Sequence, residues 1–194
     1  MPADAPGAII YVVGASGVGK DTLLSGAQER LRDDPAFIFA RRDITRPASP
    51  VGEQHREVTQ EEFASLKVSG AYALSWHAHG NGYGILSLIT DMASQGRVVI
   101  ISGSRAALCE ARDRFPGLSI VHITAPLAGL QKRLEQRGRE AQPEIEDRIR
   151  RAEAYPVEGP DVHILSNDAD VETGVRKFTQ LLQSLAQRVP NGAK

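Results

Sequence analysis

Gly14-Ala15-Ser16-Gly17-Val18-Gly19-Lys20-Asp21-Thr22 is the stretch that decides the fold. Gly14, Gly19 and Lys20 meet the spacing G-x-x-x-x-G-K, in which glycines let successive backbone N–H groups converge on an anion. Just before it, Ala8-Ile9-Ile10-Tyr11-Val12-Val13 is an apolar, β-branched run that reads as a strand buried on both faces. Just after it, Asp21 to Arg32 reads as a helix with Leu23, Leu24, Ala27 and Leu31 on one side. Strand, glycine loop and helix in that order are the context the motif requires, and the helix start adds the positive end of its dipole. An ordinary glycine-rich turn is the competing reading, and the flanks weigh against it. Lys20 would set a compact positive charge against the outer phosphates of a polyphosphate ligand. Where the motif asks for a Ser or Thr contact to Mg2+, the chain has Asp21, while Thr22 comes one residue late and points about 100° away on a helix. Asp21 is therefore the candidate metal contact, directly or through water, with the ion otherwise held by the polyphosphate and solvent.

Working outward, three further apolar runs recur at Val98–Ile101, Ile120–Ile123 and Val162–Leu165. Helical stretches are expected between and after them, at about 84–95, 105–114, 126–137, 143–155 and 170–188. Strands alternating with helices predict an α/β domain with a mainly parallel sheet. Residues 41–84 break the rhythm with Pro47, Pro50, Gly52, Gly70 and Gly80, and read as a small lobe inserted into one domain spanning 1–194. Residues 1–7 and 189–194 have little to pack and are expected to be flexible tails. Among 194 residues, 23 basic against 24 acidic groups give a net charge of −1, which argues against nucleic acid or an anionic membrane as partner. No apolar run reaches the roughly 20 residues of a membrane span, and no secretory signal stands at the N-terminus. With Cys109 as the single cysteine, the expectation is a soluble cytoplasmic protein. Cys109 itself has no activating neighbour and reads as structural or inert.

A second anion site is expected in the inserted lobe. Arg46, in Thr45-Arg46-Pro47, offers a planar guanidinium that matches phosphate oxygens, and Arg105 follows a predicted buried strand, where open α/β sheets place ligands. A solvated surface arginine is the bland alternative for each, and their convergence favours an anionic acceptor. Ser75 to Gly84 reads as a substrate-lining loop, with Asn81 and Tyr83 as hydrogen-bonding groups. His77 and His79 lack an acidic or thiol companion and are disfavoured as a metal pair, while His122 and His163 lie in apolar strands and read as core residues. Arg133 to Glu140, with Arg148, Arg150 and Arg151 beyond, reads either as a salt-bridged solvated face or as a basic lid over 133–148 hinged at Gly138.

Taken together, the chain resembles the guanylate kinase branch of P-loop phosphotransferases, and more closely the ribose 1,5-bisphosphate phosphokinase family. The resemblance runs from about Ile9 to Leu185. It rests on Gly-Lys-Asp-Thr at 19–22, Ile-Thr-Arg at 44–46, Glu53 with His55, Leu-Ser-Trp-His-Ala at 74–78 and Tyr-Gly at 83–84. It continues through Gly-Ser-Arg-Ala at 103–106, Arg-Gly-Arg-Glu at 137–140 and Asn-Asp at 167–168. Several positions depart from guanylate kinases: Ser49 stands where they carry a second phosphate-binding arginine, and Ser75 where a glutamate reads guanine. A serine hydroxyl cannot make that bidentate contact. Ser102-Gly103-Ser104 replaces their acidic strand end, and Asp21 their P-loop hydroxyl.

The resemblance implies a guanylate kinase-like P-loop fold and ATP-dependent phosphorylation of ribose 1,5-bisphosphate to 5-phosphoribosyl 1-diphosphate in phosphonate catabolism. The alternatives are a nucleoside monophosphate kinase or a non-catalytic guanylate kinase-like module. ATP and Mg2+ are the implied cofactors, small-molecule substrates the partners, and the oligomeric state stays open, a homodimer among the options. Residues 14–22 with Asn167 and Asp168 would bind ATP, and Lys20, Arg137 and Arg148 would serve transfer. Arg46, Glu53, His55, Trp76, His77, Tyr83 and Arg105 would surround the acceptor, with Asp21 toward Mg2+.

Overall fold

A computed structural model describes residues 7–48, 55–126 and 156–187. The loop-bearing strand β1 (Ala8–Gly14) lies at the centre of a five-stranded parallel sheet. The other strands are β2 (Phe37–Phe39), β7 (Val98–Ser102), β8 (Ser119–Thr124) and β9 (Val162–Ser166), in the order β2-β7-β1-β8-β9. The chain leaves β1 to build one side of the sheet, then crosses to the other. The crevice beyond the carboxyl end of β1 is therefore a switch point, where sheets of this kind take ligands.

The alternating pleat of β1 divides the core in two. Ile10 and Val12 pack with Leu23 and Ala27 of α1 (Lys20–Arg30) and with Val175, Phe178 and Leu182 of α5 (Val171–Gln187). These helices approach closely at Gly26, where a Cβ would come within 2.5 Å of Val175. Tyr11 and Val13 face the other way, against Val99, Ile101 and the helix α4 (Leu108–Arg114).

That second cluster continues into the inserted lobe through Ile44, Leu74, Trp76, Tyr83 and Ile85. The lobe is a second sheet, β4-β3-β6-β5, made of β3 (Asp43–Ile44), β4 (Arg56–Glu57), β5 (Tyr72–Ala78) and β6 (Asn81–Leu86), with α2 (Gln60–Val68). The helix starts with a capping box, Thr59 accepting from the Glu62 N–H and the Glu62 carboxylate from the Thr59 N–H. Asp43, buried at 2%, accepts from Arg56 Nε at 2.7 Å and from the Tyr72 hydroxyl at 2.9 Å. Burial and that carboxylate push the Tyr72 phenol well above its ordinary range.

Several expectations change here. The stretch from Ser75 to Gly84 is a hairpin, not a loop, because His79 (φ 50°) and Gly80 (φ 75°) make its tip, two positive-φ residues as a type I′ turn requires. The helix expected over 84–95 shortens to α3 (Leu88–Ser94), since Gly84 to Leu86 complete β6 against β5. Strand pairing overrides local preference there. His122 and His163 are partly exposed strand residues and not core, and Cys109 is exposed on α4. The helices expected at 126–137 and 143–155, the lid at 133–148 and the tails at 1–6 and 189–194 lie outside the described residues. Among the described residues no helix is long and apolar enough to cross a membrane.

One ion pair ties α4 to the start of β9. Arg112 donates to Asp161 from Nε at 2.8 Å and Nη2 at 2.9 Å, and these hydrogen bonds hold the Asp161 carboxyl below its ordinary value of 3.8. A carboxyl lowered in the folded state stabilises fully above its unfolded value and loses that contribution as the pH falls through the folded one. Urea unfolding across a pH series should therefore find Asp161→Asn less stable than the wild type at neutral pH, with the gap shrinking below about pH 4.

Candidate active site

A cleft of about 510 Å³ opens at the carboxyl end of β1. One wall is the glycine loop. Gly17 (φ 84°) and Gly19 (φ 93°) take left-handed conformations that disfavour side chains, and a Cβ on Gly14 would meet the Ile123 carbonyl at 2.8 Å. No side chain caps α1 at Gly19, so its first-turn amides open on the cleft that the loop lines. Val18 differs from its neighbours: its side chain is 1% exposed within the core, and its carbonyl accepts from Asn167 Nδ2 at 2.8 Å. Asn167 is itself buried and does not line this cleft, so it works on the loop from behind. Asp168, exposed beside it, accepts from the Ser166 hydroxyl at 3.2 Å.

Lys20 Nζ lies 2.5 Å from Ser102 Oγ and 3.1 Å from Asp21 Oδ1. The facing wall follows β7, where Gly103, Ser104 and Arg105 line the cleft. Tyr11 props this turn from below, since its hydroxyl donates to the Ser104 carbonyl at 3.1 Å and accepts from the Ser104 N–H at 3.0 Å. Burial pushes the Tyr11 phenol up to about 12, so it stays a neutral donor. Gly103 crosses the ring so closely that a Cβ would come within 2.0 Å of it. His122 lies near Arg105, and burial first and that cation second push its imidazole below 6.5, which keeps it neutral at neutral pH.

The lobe supplies the third wall: Arg42, Arg46, Trp76, His77, Ala78, His79 and Tyr83. Trp76 and Tyr83 stack at 5.3 Å with their planes 4° apart. Arg42, noted in the sequence only as a neighbour of Arg46, is 7% exposed; it donates from Nη1 to the Ser102 carbonyl at 2.9 Å and lies 5.4 Å over the Tyr83 ring. Four cations thus border one cleft: Lys20, Arg42, Arg46 and Arg105. A polyphosphate fits the glycine cradle and lysine. The donor set fits magnesium too, since the Asp21 carboxylate lies beside Lys20 and such ions keep most ligands as phosphate oxygens and water. Among the described residues no cluster of three or more His, Cys, Asp or Glu offers a full protein cage.

Comparison with known proteins now bears on the site. A family model described as an AAA domain matches residues 10–155. Ribose 1,5-bisphosphate phosphokinase PhnN of Thiobacillus denitrificans is 39% identical over 176 residues, covering 91% of this chain and 93% of that protein. Its namesake in Agrobacterium fabrum is 40% identical over 178 residues, covering 92% and 97%. The chain belongs to the ribose 1,5-bisphosphate phosphokinase family. A bifunctional ribose 1,5-bisphosphokinase-thymidine phosphorylase of Azorhizobium caulinodans is 39% identical, but the match covers 26% of that longer protein. Among solved structures, guanylate kinase from Anaplasma phagocytophilum superposes with TM-score 0.65 at 18% identity, over 95% of this chain and 88% of that one. That likeness shows the P-loop fold.

Against the residues expected from sequence, the cleft gathers Gly14 to Gly17, Gly19 to Thr22, Arg46, Trp76, His77, Tyr83 and Arg105. His55 is not among the residues that line the cleft. It is 2% exposed behind the wall, its Nε2 3.2 Å from the Arg46 carbonyl and its own carbonyl accepting from Arg41 at 3.1 Å. Glu53, Arg137, Arg148 and the comparison position Ser49 lie outside the described residues. Arg42 is the residue that sequence reasoning passed over; a basic residue four before Arg46 was the available signal.

Two substitutions test this construction. Asn167→Ala removes the loop's rear clamp, and calorimetry should show ATP affinity lower by about tenfold, the worth of one buried hydrogen bond. Gly103→Ala drives a methyl into the Tyr11 ring and should lower stability by about 1–3 kcal/mol in urea unfolding.

Proposed function

We propose that this protein transfers the γ-phosphoryl group of ATP to the 1-phosphate of ribose 1,5-bisphosphate, giving 5-phosphoribosyl 1-diphosphate and ADP; its relatives are named ribose 1,5-bisphosphate phosphokinases. The observation that carries the reading is one cleft lined by a glycine cradle with Lys20 and by three arginines, Arg42, Arg46 and Arg105. In the reaction, the bond from the γ-phosphorus to the β–γ bridging oxygen breaks as an oxygen of the acceptor phosphate bonds to that phosphorus. ADP leaves with the bridging oxygen.

An acceptor phosphate is already ionised at neutral pH, so no general base is needed, and catalysis reduces to alignment and charge neutralisation. That matches a cleft whose chemistry is cationic. The loop amides and Lys20 hold the ATP phosphates. Arg46 and Arg105 clamp the acceptor's phosphates, and the Trp76–Tyr83 pair forms the lobe wall beside the sugar. Arg137 and Arg148 serve as cations from the segment 133–148. Asp21 would hold a magnesium ion, directly or through water, and the ion would supply positive charge to offset that of the phosphates. Ser75 stands where guanylate kinases read guanine with glutamate, and a serine hydroxyl cannot make that bidentate contact.

The test offers ribose 1,5-bisphosphate and GMP side by side with Mg·ATP. The expected product is 5-phosphoribosyl 1-diphosphate with little GDP, and Lys20→Ala should lower turnover by about two orders of magnitude or more. GDP without the diphosphate product would overturn the acceptor. Activity indifferent to Lys20 would overturn the enzyme reading.

A further inference from the structure

Arg42 sits where a side chain of its kind is expensive to keep. A guanidinium that is 7% exposed has surrendered most of its hydration, and buried cations persist where paired groups or a ligand repay that loss. Its plane is fixed twice over, by the bond from Nη1 to the Ser102 carbonyl at 2.9 Å and by the Tyr83 ring beneath it at 5.4 Å. Tyr83 is in turn immobilised by Trp76. Arg42 nonetheless lines the cleft.

Its position relative to Lys20 is the decisive point. Ser102 receives both cations, Arg42 on its carbonyl and Lys20 on its hydroxyl, so the two lie on either side of one residue. Lys20 belongs to the donor's phosphates. Arg42 lines the same cleft as Arg46 and Arg105, the two arginines assigned to the acceptor, and Ser102 joins it to Lys20. Two anions must meet there in line, and a fixed guanidinium can bind a phosphate through two parallel N–H groups. We infer that Arg42 is a direct ligand of the accepting phosphate, a third acceptor arginine beside Arg46 and Arg105 that sets preference for an acceptor phosphate at the transfer point. The inference rests on the phosphokinase reading for the identity of the acceptor, though not for the presence of its phosphate.

The experiment titrates the protein, without nucleotide, with ribose 1,5-bisphosphate by calorimetry, and separately with ATP. Arg42→Met keeps the stem and removes the charge; Arg42→Lys keeps the charge and removes the planar fork. The expected result is bisphosphate affinity lower by about tenfold or more in Arg42→Met, partial recovery in Arg42→Lys, and ATP affinity within about twofold of wild type in both. The salt dependence of bisphosphate binding should also flatten in Arg42→Met, as one phosphate contact is lost. Bisphosphate affinity unchanged in Arg42→Met overturns the assignment. So does an equal loss for bisphosphate and ATP together, which would make Arg42 a strut between lobe and sheet. A wild type that phosphorylates GMP and not the bisphosphate overturns the proposed acceptor alone, and Arg42 is then judged by the same criteria on GMP.

Discussion

Three separately built elements meet on Ser102. Lys20 reaches its hydroxyl from the glycine loop, Arg42 reaches its carbonyl from the lobe, and β7 carries it to the rim of the sheet. Because the residue is a serine, the lysine gains an oriented hydrogen bond without a second negative charge to neutralise it. A carboxylate at the same place would form an ion pair with Lys20 and lower the positive potential of the cleft. The cation balance of the whole site therefore depends on an uncharged side chain at the end of one buried strand.

The supports around this point act in the same sense. Asn167 draws on the Val18 carbonyl, Tyr11 holds Ser104 by both its main-chain groups, and His55 meets the carbonyl of Arg46. Ser104 and Arg46 line the cleft, and Val18 stands between Gly17 and Gly19, which do. Side chains that only touch other protein groups thus fix the backbone on all three walls, and alignment is what phosphoryl transfer to an ionised acceptor chiefly needs.

Four of the five strands of the central sheet and its loop were legible in the sequence because their signals are local, whereas the three half-buried residues of β2 were not. A doubly buried strand must be apolar throughout, and the glycine spacing has few other physical uses. The lobe was harder. Leu74 and Trp76 do alternate with polar neighbours, yet the glycines at 80, 82 and 84 read as loop until the turn at His79–Gly80 and the close approaches to Phe63 and Tyr72 explain them. His55 and Asn167 were named from the resemblance, but their bonds to the Arg46 and Val18 carbonyls could not be read there, because spacing identifies a neighbourhood and not the direction a side chain takes. Arg42 was missed for a related reason: adjacent arginines look alike in sequence, and only burial separates exposed Arg41 from Arg42.

The lobe shares one apolar cluster with the sheet, Ile44, Leu74 and Ile85 lying in the same packing unit as Tyr11 and Ile101. It is therefore not a cassette that can be exchanged between relatives. A transplanted lobe would bring half an interior, and its host would need matching changes on β1 and β7 to close it. Divergence of acceptor choice in such a protein is confined to residues that face the cleft without entering the shared cluster, and His77 and Arg46 are of that kind. New specificity would then arise by a few point changes on a conserved wall, with the wall itself inherited whole.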